Sequence, residues 1–308
     1  MHLPKHIQAR LISPLSQKSL RISGDNSLTV EEETYPIVDG IPILINNNKS
    51  LFNTKDFLKI RDTTFKTESK LTKKIKKLIP SVTLNQSAKN NFDFIAKLLK
   101  PKSDILVIGG SIQGFGTDKI YNEDFNIIGS DVSHGPQTRI IADCHDLPFK
   151  ANTFDAVIVQ AVLEHVLEPQ KCVDEIYRVL KMNGLVYSDT PFMQQVHMAK
   201  YDFTRFTHLG HNRLFRNFSE LKSGPSSGPG TALAWSINYF FRSFGRTKNQ
   251  RKILNFLSKF LAFPFKYTDL FFKDRNETYN ASSSFYFIGS KKEHKTSDSE
   301  LLKNFKGF

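Results

Sequence analysis

From residue 88 onward, short purely apolar runs alternate with segments of helical periodicity, and no other feature constrains the fold as strongly. Phe92, Ile95, Ala96, Leu98 and Leu99 recur at helical spacing. Ile105-Leu-Val-Ile108 is an apolar strand ending on glycines, Phe125-Asn-Ile-Ile-Gly129 leads to Asp131, and Phe154-Asp-Ala-Val-Ile-Val159 follows. A strand that is apolar on both faces must be covered on both, so buried strands alternating with helices imply a parallel, doubly wound α/β sheet. Val173, Ile176, Tyr177 and Leu180 mark a further helix, expected to close at Lys181–Gly184 with Gly184 as a left-handed cap. The next strand is expected from Leu185, with a sixth at Phe218–Ser223 and a seventh at Ser284–Ser290.

The chain has 308 residues, enough for one large domain and a small module. Its 39% hydrophobic and 24% charged residues are ordinary for a globular protein. No apolar run approaches the roughly 20 residues that span a bilayer, and the N-terminus has no signal-peptide pattern. A soluble, cytoplasmic chain is therefore expected. Only Cys144 and Cys172 are present, which excludes a disulfide framework and an all-thiolate zinc site, so no metal is expected. The formal charge of +13 suits a polyanionic neighbour, either nucleic acid or an anionic membrane, or solubility alone.

Residues 1–46 are turn-rich, with short apolar runs separated by Gly, Asn and Pro, and read as a small β-rich module. The ending Tyr35-Pro-Ile-Val-Asp-Gly-Ile-Pro42 resembles that of the Trm112-like family of small modules. That family opens on a Cys-Pro-x-Cys knuckle, where this chain has Ser13 and Ser16. The resemblance therefore implies the shape without the metal. Residues 47–84 read as a basic connector, with Lys70, Lys73, Lys74, Lys76 and Lys77 on a helix ending before Pro80. That run is a solvated face, or else a contact for nucleic-acid or lipid phosphates.

The turn after the first buried strand is Gly109-Gly-Ser-Ile-Gln-Gly-Phe-Gly116, and Asp131 lies 22 positions beyond Gly109. Glycines there let backbone approach a ligand, and an acid at the end of the next strand can accept from ribose hydroxyls. Such a turn alone also suits a dehydrogenase. Downstream come Ala142-Asp-Cys-His-Asp-Leu-Pro-Phe149, Asn152-Thr-Phe-Asp155, Val162-Leu-Glu-His-Val166, Glu168-Pro169 and Arg178-Val-Leu-Lys-Met-Asn-Gly184. With these runs in order, residues 88–195 resemble the class I S-adenosylmethionine-dependent methyltransferases, especially the subgroup with Asp-x-x-x-Leu-Pro-Phe and Leu-Glu-His-Val signatures. The resemblance implies a Rossmann-like methyltransferase sheet, parallel with a reversed last strand, over residues 85–308. It also implies S-adenosylmethionine as cofactor. Gly109, Gly110 and Ser111 would border the methionine moiety, Asp131 would hold the ribose, and Asp143 the adenine amino group. Cys144 would pack beside the ring, and Gln160 with Ala161 would line the methyl-donor side. The family's acid two residues before the first glycine is Val107 here, so cofactor affinity is reduced or supplied differently.

Candidates for the acceptor side cluster after the fifth strand, in Pro191–His197 and Tyr201–His208, with His211 beyond. The pattern resembles glycan- and envelope-pathway methyltransferases. It suggests His197 as base for an oxygen acceptor, with Asp202 and Arg205 shaping the site. A structural Asp202–Arg205 ion pair is the plain alternative, and His165 is expected to cap or pack. Between the last two strands lies an insertion, helical over about 231–280, with Ile253, Leu254, Phe256, Leu257, Phe260, Leu261 and Phe263 on one face. That stripe is read first as core or lid, and otherwise as peripheral contact with an anionic membrane. The function expected is methyl transfer to a small-molecule, glycan or lipid-linked acceptor. The alternatives are an RNA methyltransferase, for which no RNA-binding signature is present, and a scaffold protein whose cofactor site has decayed.

Overall fold

The computed structural model describes residues 1–59, 79–273 and 275–307; the lysine run from Lys70 to Lys77 lies outside them. The catalytic-side strands are β5 (Asp104–Ile108), β6 (Asn126–Asp131), β7 (Thr138–Ala142), β8 (Phe154–Gln160), β9 (Leu180–Pro191), β10 (Phe218–Ser227) and β11 (Ser284–Lys291). They lie in the order β7-β6-β5-β8-β9-β11-β10. The first five are parallel, and β11 runs antiparallel between β9 and β10. This is the expected parallel α/β sheet with a reversed last strand.

Alternation along β5 explains why both sheet faces are covered. Leu106 and Ile108 pack with Val157, Val159 and the apolar face of a helix at Pro169–Val179. Ile105 and Val107 pack the other way, with Ala156, Ile158, Tyr187 and the helix Ala88–Leu98. A strand period of two thus splits one apolar run between two cores. The helix from Pro169 ends at Val179, and Leu180 already pairs with Phe154 as the start of β9. The expected left-handed cap at Gly184 is corrected: Asn183 takes the positive φ, 61°, inside a bulge of β9. Gly184 is needed for close packing instead, since an added Cβ would lie 2.8 Å from the Lys181 carbonyl.

Before the sheet come the helix Lys5–Gln8 and four strands, β1 (Arg21–Ser23), β2 (Ser27–Val30), β3 (Glu33–Val38) and β4 (Ile41–Leu44). Strand β4 adds in parallel to β7, placing Ile43 beside Ile141 and Leu44 beside Ala142. Leu3, Ile7, Leu11 and Tyr35 share one core with Ile128 and Phe149, so the N-terminal strands extend the main sheet. At Ser13 a hydrogen-bond cluster forms. Ser13 Oγ donates to Glu33, lies 3.0 Å from the Tyr35 hydroxyl, and accepts from the amides of Leu15 and Ser16. Continuing past β4, Ser50 reaches back to Asp143 and Phe57 packs on His134, over the carboxyl ends of β6 and β7.

In chain order the helices used below are α1 (Lys5–Gln8), α2 (Ala88–Leu98), α3 (Asp118–Asn122), α4 (Pro169–Val179), α5 (His208–Leu214), α6 (Pro229–Ser243), α7 (Lys248–Ala262) and α8 (Asp269–Phe272). Strand β10 runs four residues past the expected Ser223, because Gly224–Ser227 continue to pair with Ser284–Tyr286. Pro225 is tolerated there because β10 is the edge of the sheet. Helices α6 and α7 form an antiparallel pair outside the sheet. The start of α6 is held by Asp269, whose carboxylate accepts from the amides of Gly228, Gly230 and Thr231 at 2.6–3.2 Å. A carboxylate at that position satisfies free amides and complements the helix dipole.

The Ser13 cluster generates a test of the N-terminal fold. Ser13→Ala should lower the unfolding free energy by about 1–3 kcal/mol, because it strips a buried hydroxyl from four partners. Protein purified without a histidine tag should contain well under one zinc per chain by elemental analysis.

Candidate active site

The site sits where open α/β sheets bind ligands, beyond the carboxyl ends of their strands. At the end of β5 the chain turns through Gly109, whose φ is 73°. A Cβ on Gly109 would come within 2.4 Å of Val162, and one on Gly110 within 2.7 Å of the Val107 carbonyl. The turn is pinned to β6 by Gly110 N–H donating to Ser130 O and Ser111 N–H donating to Asp131 Oδ2, both at 3.0 Å. Asp131 Oδ1 accepts from the Ser133 hydroxyl at 2.9 Å. Burial raises the Asp131 pKa, against the opposing hydrogen bonds from Ser111 and Ser133. Each carboxylate oxygen can accept a second hydrogen bond, so Asp131 keeps capacity for a diol.

Asp143, just past β7, accepts from the amide and ring Nδ1 of His145 through Oδ1, and from Ser50 through Oδ2. Burial works against its charge, but His145 and Ser50 outweigh it and hold the carboxyl below its usual value. One acceptor position on Oδ2 remains. Cys144 turns away from it into the core, with its Sγ 2.8 Å from that of Cys172. This corrects the placement of Cys144 beside a ligand ring: in the turn after β7 its side chain packs into the core against Cys172. Gln160, at the end of β8, donates to the Phe115 carbonyl of the glycine loop at 3.3 Å, and its Oε1 is buried without a partner. Next to it Ala161 takes a left-handed φ of 53°, and its amide donates to the Asp189 carbonyl. Gly109, Gly110, Ser111, Asp131 and Gln160 therefore form one connected rim, with Asp143 at its β7 side. The orphaned Gln160 oxygen and the spare acceptor positions on two carboxylates fit a ligand carrying a ribose, an amine and an amino-acid group.

On the other side of β8, the turn Leu163–His165 carries Glu164 into the interior. Glu164 is fully buried, and neither carboxylate oxygen has a hydrogen-bond partner. Two imidazoles approach it: His165 Nε2 lies at 3.6 Å and His197 Nε2 at 3.7 Å from Oε1. His165 is held by its Nδ1, 2.8 Å from the Tyr201 carbonyl. His197 Nδ1 faces Gln195 O and Asp202 Oδ2 at 3.4 and 3.5 Å. Glu164 raises the His197 pKa, its charge prevailing over the desolvation of the ring, with Asp202 adding to it. A separation of 3.7 Å between ring nitrogen and carboxylate oxygen is that of an ion pair. Among the described residues, Glu164–His165–His197 and Cys144–His145–Cys172 each bring three donor atoms within 4.8 Å. The first is read here as a charge pair with an edge-packed second imidazole, and in the second the His145 Nδ1 is taken by Asp143.

Asp202 and Arg205 make a bidentate salt bridge. Arg205 also donates to the carbonyls of Gln194 and Gln195, and Asp202 accepts from the His197 amide at 2.8 Å. Burial opposes the Asp202 charge, but Arg205 and the His197 amide hold its pKa down to about 2. Both groups are fully engaged in fixing the 194–205 loop, and it is His197 that they position. His208 and His211 are not site residues. Both lie in the core on α5, bonded to Ser223 and Ser188, with burial lowering their pKa values to about 4 and about 3.

Two residues escaped the sequence reading. Glu164 sits in a signature but gives no sign there that it faces a histidine 33 positions away. Asp189 is buried near the end of β9 beside Gln160. It accepts from Ser226 at 2.7 Å and from Tyr187 and Asn85 at 3.2 Å. Burial raises its pKa to about 7, with Glu164 nearby adding to the rise. A carboxylate inside a segment expected to be a strand of the buried sheet was the available signal.

Residues 113–188, from within the glycine turn to β9, match the family described as a methyltransferase domain. The uncharacterized protein MJ0638 of Methanocaldococcus jannaschii is 40% identical over 103 residues, 30% of this chain and 45% of that protein. The demethylmenaquinone methyltransferase of Clavibacter sepedonicus is 49% identical over 45 residues, 15% of this chain and 18% of that protein. The chain thus spans less than half the length of the curated relatives it matches. Among solved structures, Haemonchus contortus phosphoethanolamine N-methyltransferase 2 in complex with S-adenosyl-L-methionine aligns with a TM-score of 0.42 at 16% identity. That alignment covers 66% of this chain and 53% of that one.

Asp189 gives the site a pH signature. Its folded pKa, about 7, lies above the usual carboxylate value near 4. The folded state thus prefers the protonated acid, a contribution to stability complete below about pH 4 and lost as pH rises through about 7. Against Asp189→Asn, the wild type should lose roughly 1–4 kcal/mol of unfolding free energy across that interval in chemical denaturation. Parallel pH profiles for the two proteins would show that Asp189 titrates normally.

Proposed function

We propose that the chain is an S-adenosylmethionine-dependent methyltransferase acting on a hydroxyl of a glycan, small-molecule or lipid-linked acceptor. We take residues 1–46 as a Trm112-like module without zinc, 47–84 as a connector and 85–308 as the catalytic domain. The single observation that carries the reading is the convergence of two halves on β8. The glycine turn and Asp131 lie on one side of that strand, and the Glu164–His197 pair on the other.

Bound at the first half, S-adenosylmethionine supplies a methyl group made electrophilic by its sulfonium. Asp131 accepts from the ribose hydroxyls, the spare position on Asp143 takes the adenine amine, and the backbone of Gly109 to Ser111 lies against the methionine portion. Gln160 ties the glycine loop to β8 and offers its unpartnered oxygen to the same ligand. Methyl transfer is an in-line displacement, so the protein's main work is to align acceptor oxygen and methyl carbon. As the oxygen–carbon bond formed, the methyl–sulfur bond would break to leave a neutral thioether; His197 would take the hydroxyl proton, and buried Glu164 would stabilise the resulting imidazolium. Asp202 and Arg205 act through His197, by holding its loop.

Two outcomes follow. Asp131→Ala should weaken S-adenosylmethionine binding by about 1.5–3 kcal/mol in calorimetry with the fold intact, the range for a hydrogen bond to a charged group. Unchanged affinity would move the ribose elsewhere. His197→Ala should lower turnover roughly 10²–10⁴-fold with cofactor affinity nearly intact, in a labelled-methyl assay against glycans, lipids and RNA. Because Glu164 raises the His197 pKa, activity should fall on acidification with a midpoint above the ordinary imidazole value, and chelators should leave the rate unchanged. A mutant that keeps its rate, with activity collapsing as salt is added, would favour RNA as the acceptor.

A further inference from the structure

Helix α7 is amphipathic with its faces reversed. Ser258 and Ala262 are its buried residues, and Ser258 accepts from Asn238 of α6 at 2.8 Å. The inner seam of the α6–α7 pair is small and polar, closed by Ala234, Ala262 and Val82. The apolar arc points into solvent instead: Ile253 is 60% exposed, Leu257 57% and Leu261 54%, with Phe256 and Phe260 between them. On α6, Phe240 and Phe244 are 61% and 64% exposed on the same side, and Phe271 of α8 reaches 76%. Between the two helices an open cleft of about 440 Å³ is lined by Ile237, Phe240, Phe241, Leu261 and Phe265, with Ser236 at its edge. The stripe is therefore neither core nor a lid closed over the sheet. Contiguous apolar surface of this kind on a folded chain marks a contact with something else.

Charge says what that something is. Residues 229–273 carry eight Lys and Arg but a single acid, Asp269, which is buried at the start of α6. Arg246, Lys248, Arg251 and Lys252 are exposed where α6 passes to α7, and among the described residues none has an acid within ion-pair distance. Such a surface suits anionic headgroups around an acyl layer. A second copy of the chain would bring the same cations to face each other. We propose that the outer face of α6, α7 and α8 docks on an anionic lipid bilayer, with its aromatic residues in the acyl boundary and its cations at the headgroups. No helix among the described residues is long and apolar enough to cross the membrane, so the contact is peripheral.

The docked face borders the acceptor side. Tyr239 of α6 donates to the Val196 carbonyl at 2.7 Å, and Gln195 donates to Ser236 at 3.0 Å, so α6 holds the loop that ends in His197. Docking would bring that loop to the membrane surface, where a lipid-linked acceptor lies. The docking stands on the surface alone and does not depend on the methyl-transfer reading.

The test is co-sedimentation of the full chain with vesicles of phosphatidylcholine, alone or mixed with phosphatidylglycerol. The mixed vesicles should take up the protein, pure phosphatidylcholine much less, and added salt should weaken the binding. Phe256→Ser with Phe260→Ser, and separately Arg246→Glu with Arg251→Glu, should each cut partitioning by about tenfold or more. Circular dichroism should be unchanged, and so should S-adenosylmethionine affinity. Failure to bind either vesicle, or variants that bind like wild type, would overturn the proposal. So would a dimer in analytical ultracentrifugation that Phe256→Ser with Phe260→Ser converts to monomer, since that face would then be a self-interface.

Discussion

The candidate site depends on one sharp turn. At the end of β5 the backbone passes through left-handed Gly109, beneath Val162 and against Val107, in a space that admits no side chain at Gly109 or Gly110. Two amides of the turn are held by β6, through Ser130 and Asp131. Val162 follows β8, so three neighbouring strands meet at this junction. The glycine loop, Asp131 and the start of the Glu164 turn are thereby placed relative to one another by strand pairing, a far stiffer device than a surface loop.

Around that junction the interior carries more ionisable groups than a sheet core usually tolerates. They are handled in three ways. Asp202 is matched by Arg205 and an amide, and stays charged. His208 and His211 are matched by hydroxyls, and stay neutral. Glu164 and Asp189 are less fully compensated: one has imidazoles at ion-pair distance, and the other has donors but a pKa near neutrality. Incompletely satisfied buried charge costs stability. Its concentration at the ends of β8 and β9, and nowhere in the N-terminal strands, follows the pattern of sites where stability yields to chemistry.

The two additions to the sheet behave differently. The N-terminal strands merge with it, because β4 offers a free edge to β7 and an apolar face to the same core. Their turn is organised by hydrogen bonds among Ser13, Glu33 and Tyr35. The α6–α7 pair instead buries small and polar groups and leaves its large apolar side chains outside. Burial of apolar area holds the first addition to the sheet, while the helices of the second are held to one another by particular hydrogen bonds such as Asn238 to Ser258 and the α6 amides to Asp269.

Local order was legible in the sequence. Apolar runs such as Ile105–Ile108, the glycine turn and the ordered signatures to Gly184 specify a parallel sheet and its ligand-binding end, since strand period and backbone sterics act over a few residues. The position of Asp131 at the end of β6, bonded to the glycine turn, was legible for the same reason, lying at a set distance along one β-turn-α-β unit. The sequence could not show which way a side chain faces once elements pack. Cys144 turned inward beside Cys172, His208 and His211 became core residues, and the stripe of α7 faced outward. Nor could it show that Glu164 meets His197, because that contact joins two turns from different strands and exists only when β8 and β9 lie side by side. Periodicity determines that a helix has an apolar face; only the packed neighbours decide whether that face is covered.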